Sequence, residues 1–122
     1  MNQNIQKWID ALRSDLYDQN FEDDQMPIRT SNNKFSAIGV LCNVHAQEHP
    51  DVAKTQMIST EYLGYEYMIP KKVQDWIGIS NCSFEFIYPF TFENRVYKSA
   101  DQMSYDFIPF YIIADAIELQ LQ

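Results

Sequence analysis

The stretch Phe84-Glu85-Phe86-Ile87-Tyr88-Pro89-Phe90-Thr91-Phe92 carries the clearest secondary-structure signal in this 122-residue chain. Aromatic side chains occupy every second position, which is the period of a β-strand, so the stretch predicts a strand with one aromatic face. Pro89 has no N–H to donate, and the strand is therefore expected to lie at a sheet edge or to be interrupted there. Glu93-Asn94-Arg95 can turn the chain back toward Val96 and Tyr97. The stretch thus predicts an aromatic hairpin.

Helical spacing flanks this hairpin on both sides. Apolar residues spaced three or four positions apart predict amphipathic helices, and a proline often occupies the first helical position. The first predicted helix is capped by Asn2 or Asn4 and ends near Tyr17; the second follows Pro70 and ends near Gly78; the third follows Pro109. Their apolar stripes are Ile5, Trp8, Ile9, Leu12 and Leu16; Val73, Trp76 and Ile77; and Phe110, Ile113, Ala114, Ile117 and Leu121.

Two further segments have patterns that matter for the fold. Apolar residues in 34–49 fit one face of a helix and also alternate as in a strand, and the length of the segment favours the helix. This helix would be capped by Asn32 or Asn33 and would end at Pro50. Gly39 would weaken that helix unless close packing requires a glycine. Residues 62–69 alternate and predict a strand. The chain is therefore expected to form an α+β fold, one domain over residues 1–122, with about three helices packed on a small antiparallel sheet.

Composition indicates a folded, acidic protein. Apolar residues make up 46% and aromatic residues 15%, which is far from the composition of disordered chains. Seventeen acidic residues against nine basic ones give a net charge of −8. Such a surface repels phosphate backbones and anionic membranes, so we expect neither direct nucleic-acid binding nor membrane binding. The charge suits a basic partner, or it serves solubility alone.

The acidic residues of the first helix and the polar stretch after it form the predicted interaction surface. The stretch after the first helix is predicted to be a surface loop. Acid catalysis needs a carboxyl group whose pKa is raised by burial, and adjacent acids in an exposed loop lack that burial. We therefore interpret them as contacts for a basic protein, anchored by nearby aromatic side chains. The predicted interaction residues are Asp10, Asp15, Asp18, Glu22, Asp23 and Asp24.

An alternative is a small metal- or thiol-dependent enzyme centred on Cys42, His45 and His49. Their C-x2-H-x3-H spacing would place three metal ligands near one helix face, and a fourth ligand would have to come from a distant residue such as Cys82 or Asp51. A buried cysteine and two histidines near a helix end explain the same spacing. Both cysteines are expected to be free thiols, as in a cytosolic protein, because the N-terminus lacks the features of a signal peptide.

No common catalytic or phosphate-binding motif accompanies these residues. The sequence contains none of G-x-x-x-x-G-K-[ST], G-x-G-x-x-G, H-E-x-x-H or G-x-S-x-G, and its three glycines leave little for a phosphate-binding loop. We therefore assign no catalytic residue, no cofactor and no metal, and we expect a binding protein and not an enzyme.

Four segments resemble a family of small proteins encoded by bacteriophages and prophages. They begin at Trp8, Gly39, Pro70 and Ile113, and relatives read approximately W-x-x-A-L-R-S-G, C-C-L-G-V-L-C, P-x-x-V-Q-x-W-x-G and I-A-D-x-I-E. Asp15 stands where a glycine is usual, Ser36-Ala37 replace a cysteine pair, and Pro109 replaces a serine cap. The segments in this chain are Trp8-Ile9-Asp10-Ala11-Leu12-Arg13-Ser14, Gly39-Val40-Leu41-Cys42-Asn43, Pro70-Lys71-Lys72-Val73-Gln74-Asp75-Trp76-Ile77-Gly78 and Ile113-Ala114-Asp115-Ala116-Ile117-Glu118.

The resemblance implies a viral setting, with action in the host cytoplasm, and no particular chemistry. A small acidic phage protein of this kind looks like an anti-defence factor, for example a CRISPR inhibitor that occupies the basic channel of a nuclease. The expected partner is therefore a basic host protein or nucleoprotein complex.

Overall fold

The computed structural model describes residues 1–52, 57–58 and 60–122. The described elements are the helices α1 (Asn4–Leu12), α2 (Ala37–Glu48), α3 (Lys71–Ile77), α4 (Ala100–Tyr105) and α5 (Phe110–Leu119) and the strands β1 (Met57–Ile58), β2 (Glu61–Tyr62), β3 (Glu85–Phe92) and β4 (Arg95–Ser99). Residues 50–52 are also helical. The α+β class is confirmed, but the fold has more helices than the three that were predicted.

The strands form two separate antiparallel pairs instead of one sheet. β1 pairs with β2, and β3 pairs with β4. In the second pair Phe90 lies opposite Tyr97 and Thr91 opposite Val96, whereas the register is irregular between Glu85 and Phe90. Pro89 falls in this irregular stretch, so the predicted interruption is confirmed.

The turn of the second pair has the backbone that a two-residue hairpin needs. Glu93 and Asn94 have φ values of 49° and 65°. Positive φ at both central positions matches the right-handed twist of the flanking strands. The aromatic hairpin predicted from the sequence is therefore confirmed.

Helix α1 packs by the predicted stripe but is shorter than predicted. Trp8 is fully buried, its indole Nε1 donates to the Ala37 carbonyl oxygen at 2.9 Å, and its ring meets Phe84 edge-on with centroids 5.1 Å apart. The helix ends at Leu12, and Leu16 is 83% exposed. The predicted end near Tyr17 was wrong because Asp15 has a φ of 61° and turns the chain away.

Residues 34–49 are a helix over most of their length. The Oγ of Ser36 caps α2 by accepting from the Gly39 N–H at 3.0 Å, so the predicted asparagine caps were wrong. A Cβ added at Gly39 would lie 1.7 Å from the Ile28 carbonyl oxygen. Close packing therefore explains the glycine, since any larger residue would displace the segment that contains Ile28.

The predicted strand over residues 62–69 is largely wrong. β2 ends at Tyr62, after which Leu63 and Gly64 adopt φ values of 53° and 85°. Farther along, the backbone of residues 62–69 forms a hydrogen bond with a distant segment, in which the Ile28 N–H donates to the Glu66 carbonyl oxygen at 2.6 Å. Tertiary contact overrides the alternating pattern.

The two proline-led helices are confirmed. α3 follows Pro70, and Gly78 ends it with a φ of 76°. α5 follows Pro109 and buries Phe110, Ile113 and Ile117 against the rest of the core. In the described part of the chain, no helix is both long enough and apolar enough to cross a membrane.

Candidate functional site

The six acidic residues predicted to bind a partner are all exposed. One lies on α1, and the other five lie in the segment 13–35 that joins α1 to α2, which we call the acidic connection. In order along the chain they are Asp10, Asp15, Asp18, Glu22, Asp23 and Asp24.

The side chain of Gln19 forms hydrogen bonds that hold the acidic connection against the start of α5. Its Nε2 donates to the Ile108 carbonyl oxygen at 2.6 Å, and its Oε1 accepts from the Phe110 N–H at 2.9 Å. The backbone on either side pairs with the segment before α2, since the Asn20 N–H donates to the Phe35 carbonyl oxygen at 2.9 Å. The loop therefore has a fixed course across the protein surface.

Asn20 holds the most acidic turn in place. The side chain is 2% exposed; its Oδ1 accepts from the N–H groups of Glu22 and Asp23 at 3.0 and 2.9 Å, and its Nδ2 donates to the Asp23 carbonyl oxygen at 2.9 Å. An asparagine that bonds the backbone two and three residues later organises a tight turn. The turn orders the backbone of Glu22 and Asp23, whose side chains are exposed to solvent. A backbone that is already ordered lowers the entropic cost of binding.

Five of the acids line three adjoining recesses. Asp10 lines a recess of about 400 Å³, Asp15 and Asp18 line one of about 340 Å³, and Glu22 and Asp23 line one of about 540 Å³. Neighbouring recesses share wall residues, namely Ala11 and Tyr17 for the first two and Gln19 and Phe21 for the last two. The six acids thus follow one band, which we call the acidic band; Asp24 belongs to it as the chain neighbour of Asp23, although Asp24 lines none of these three recesses.

Within the described residues, most carboxylates of the acidic band form no ion pair. Among the described residues, Asp18 is the one member of the six with an ion pair, an exposed contact with Lys34 at 3.8 Å. Other basic side chains pair with acids outside the band: Lys7 with Glu48, Arg13 with Asp115 and Glu118, Lys71 with Asp75, and Arg95 with Asp106. One basic side chain also lines each recess, namely Lys7, Arg13 and Lys34, so a partner's lysines and arginines would meet an excess of carboxylates over cations.

Glu66 and Tyr67 also belong to this site, although no sequence pattern indicated it. Both line the 540 Å³ recess beside Glu22 and Asp23. Glu66 adds a carboxylate, and Tyr67 is 43% exposed and adds an aromatic surface. They lie more than forty residues away along the chain, so no local pattern could have placed them there.

The residues of the alternative metal or thiol site have other partners. Cys42 is fully buried, and burial raises the pKa of its thiol far above the usual range. His45 Nδ1 lies 2.6 Å from the Tyr62 hydroxyl, and burial lowers the pKa of His45 to about 4. His49 Nδ1 donates to the His45 carbonyl oxygen at 2.8 Å, and the two rings stack with centroids 4.0 Å apart. Cys82, suggested as a distant ligand, is exposed.

These contacts favour a packed aromatic cluster over a metal centre. Trp76 meets the edges of both histidine rings, with centroid distances of 5.2 and 5.9 Å. Nowhere in residues 1–52, 57–58 and 60–122 do three or more His, Cys, Asp or Glu side chains come together in a way that could hold a metal ion. The buried thiol also lacks the electropositive, accessible surroundings of a reactive cysteine.

Comparison with known proteins gives a family and no activity. No curated protein and no solved structure matches the chain. Residues 1–121 match the family model described as a domain of unknown function (DUF8296), and the chain therefore belongs to that family.

Proposed function

We propose that this protein binds a basic partner through the acidic band and inhibits that partner by covering its basic surface. The observation that carries the proposal is the excess of negative charge in the band, where five of six exposed acids form no ion pair within the described residues. Exposed carboxylates of one sign attract a complementary basic surface and speed its capture.

Exposed apolar side chains supply the anchors that such a contact needs. Phe21 is 54% exposed, and its ring contacts the Phe107 ring in a tilted arrangement with centroids 6.5 Å apart. Tyr67 is exposed in the same recess. Binding energy concentrates in aromatic anchors ringed by polar contacts, so a partner would insert cations around these two rings.

The resemblance to phage-encoded proteins narrows the proposed partner to a nucleic-acid-handling or defence complex in the host cytoplasm. Such complexes hold phosphate backbones in channels lined by lysine and arginine, and the acidic band would occupy such a channel in place of phosphates. A CRISPR nuclease is the first partner to test. The protein would act as a binding inhibitor and not as an enzyme.

Affinity capture at two salt concentrations tests the proposal. Tagged protein would be incubated with bacterial lysate and, separately, with a purified CRISPR nuclease, and washed at about 0.1 M or about 1 M NaCl, where the Debye length falls from about 10 Å to about 3 Å. We expect a basic protein to be retained at low salt and released at high salt. If no protein is captured at low salt, or if retention is equal at both salts, the proposal is wrong and the negative charge serves solubility alone.

A further inference from the structure

The recess of about 540 Å³ beside Glu22 and Asp23 brings aromatic rings and carboxylates together from distant parts of the chain. Phe21 comes from the acidic connection and Tyr67 from the segment between β2 and α3, and both rings line the recess. Its volume falls within the range of about 300–1,000 Å³ that is typical of ligand pockets. We call this cavity the aromatic recess.

The rings of the aromatic recess are open to a ligand. Phe21 is 54% exposed and Tyr67 is 43% exposed. A third ring, that of Tyr105, lies at the border, since its hydroxyl donates to the carbonyl oxygen of the wall residue Gln25 at 3.4 Å. All three rings lie outside the hydrophobic core of the described residues. Exposed aromatic rings grouped in this way are typical of interaction surfaces.

Glu66 is the carboxylate that the wall of the aromatic recess holds most firmly. It is half-buried, and its Oε1 accepts from Thr60 Oγ1 at 2.7 Å. Hydrogen bonds from Tyr67 and Thr60 lower the pKa of Glu66, so its side chain is ionised at neutral pH. The contact with Tyr67 places this negative charge directly beside an exposed ring.

The charges of the aromatic recess favour a cation. Among the described residues, three carboxylates line it, those of Glu22, Asp23 and Glu66, against one ammonium group, that of Lys34. Lys34 lies 3.8 Å from Asp18, which lines the neighbouring recess. The aromatic recess therefore has a net negative charge, which attracts a cation and repels an anion.

Rings beside carboxylates favour arginine over lysine. A guanidinium group is planar, so it can stack on a ring while its N–H groups donate to carboxylate oxygens around the edge. A lysine ammonium is a compact, strongly hydrated charge and gains less from an aromatic face. The two side chains carry the same charge, so any difference in affinity between them reports the rings and not the net charge.

We propose that the aromatic recess binds an arginine side chain of the partner protein. The guanidinium group lies against the rings of Phe21 and Tyr67 and pairs with Glu66. This inference rests on the proposed function, which requires a basic partner, and it adds that arginine is the residue the protein recognises.

Two probe peptides of equal length and charge, one of arginine and one of lysine, test the inference. Each would be titrated into the full chain by calorimetry at about 0.1 M NaCl. We expect the arginine peptide to bind at least about fivefold more tightly. Equal affinities, or no binding of either peptide, would overturn the inference. The proposed function is judged separately, by salt-sensitive capture of a partner, because charge alone can produce that capture.

A ring variant and a matched control locate the contact. Phe21→Leu with Tyr67→Leu removes both rings and keeps the net charge, and should reduce the arginine preference to within about twofold. Tyr88→Leu is the control, since it removes an exposed ring that does not line the aromatic recess. A preference that survives the double variant, or that the control also loses, would contradict the inference.

The role of Glu66 needs a variant of its own. Glu66→Gln keeps the shape of the side chain and removes its charge, and should weaken binding of the arginine peptide at least about fivefold. Glu85→Gln, at an exposed acid on β3, changes the net charge equally and should bind within about twofold of wild type. Equal losses in the two variants would show that Glu66 does not receive the arginine.

A measurement on the unaltered protein guards against misfolding of the variants. Ring currents of a stacked aromatic side chain shift the methylene protons of a bound arginine upfield in NMR spectra. We expect this shift for the arginine peptide, together with larger backbone amide shifts at Glu66 and Tyr67 than at Thr91 and Val96. An arginine peptide that binds without ring-current shifts, or that changes the amide shifts elsewhere, would overturn the inference.

Discussion

Gln120 and Tyr88 form a two-point contact between helix and strand. The Gln120 amide donates to the Tyr88 carbonyl oxygen at 2.7 Å and accepts from the Tyr88 N–H at 2.8 Å. Tyr88 lies in the irregular stretch of β3, where the register with β4 is shifted. The side chain at the end of α5 thus replaces a missing strand partner and joins the C-terminal helix to the hairpin.

Gln120→Leu should destabilise the protein by about 1–3 kcal/mol, because it leaves two backbone polar groups of Tyr88 without partners. The measurement is urea denaturation followed by circular dichroism. Gln122→Leu is the control, since Gln122 is exposed. Equal stability of the two variants would show that the two hydrogen bonds contribute little.

Gly39→Ala should destabilise the protein although alanine is the better helix former by about 1 kcal/mol. The added methyl group would overlap the Ile28 carbonyl oxygen, so α2 or the acidic connection must move. Such overpacking costs about 1–3 kcal/mol or more. Gly64→Ala, where the new methyl group meets no atom within 4 Å, should lose only the roughly 1–2 kcal/mol that a left-handed backbone costs alanine, because Gly64 has a φ of 85°. Its loss in thermal unfolding should be smaller than that of Gly39→Ala. A stabilised Gly39→Ala protein would contradict the packing described here.

His45 should make the protein less stable as the pH falls from about 6.5 to about 4. The pKa of His45 is lowered to about 4 in the folded protein, so over this window the unfolded chain binds a proton that the folded chain does not. His45→Gln, which can still bond Tyr62, should remove this loss in urea denaturation at pH 4.5, 5.5 and 6.5.

A second group titrates in the same window with the opposite effect. Burial raises the pKa of Asp101 to about 6, so its protonation stabilises the folded chain as the pH falls. The relevant quantity is therefore the difference in unfolding free energy between wild type and His45→Gln. A difference that does not change with pH would contradict the buried, neutral state of His45.

Cys42 should be unreactive in the folded protein. Its thiol is fully buried with a raised pKa, whereas Cys82 is exposed. Titration with a chromogenic disulfide reagent should detect one thiol in the native protein and two in denaturant, and Cys82→Ser should leave none in the native protein. Rapid labelling of Cys42 in the native protein would instead support the alternative of a thiol-dependent enzyme.

The sequence predicted those parts of the fold that depend on local rules. Pro70 and Pro109 mark helix starts because proline restricts its own backbone, and Gly78 marks a helix end because glycine tolerates a positive φ. Glu93-Asn94 fits a tight hairpin turn. The sequence did not predict α4, because it is a short helix directly after a strand. Ser99 caps this helix, and its Oγ accepts a hydrogen bond from the Gln102 N–H.

The remaining differences arise from contacts between distant residues. Nothing local to residues 62–69 indicates that the Glu66 backbone bonds Ile28 in place of a strand partner. The same contact brings Glu66 and Tyr67 into the recess with Glu22 and Asp23. The exposure of the acids was predictable from their charge, whereas their arrangement along one band follows from the anchoring of Gln19 and Asn20.

We expect the acidic band, and not the overall charge, to bind the partner. The direct test measures the affinity of a captured partner for Glu22→Lys with Asp24→Lys, against Asp51→Lys with Glu85→Lys, which changes the net charge equally at exposed acids outside the band. We expect the band variant to bind at least about tenfold more weakly than wild type and the control to bind within about twofold. Equal affinities for the two variants would show that the overall charge, and not the acidic band, determines binding.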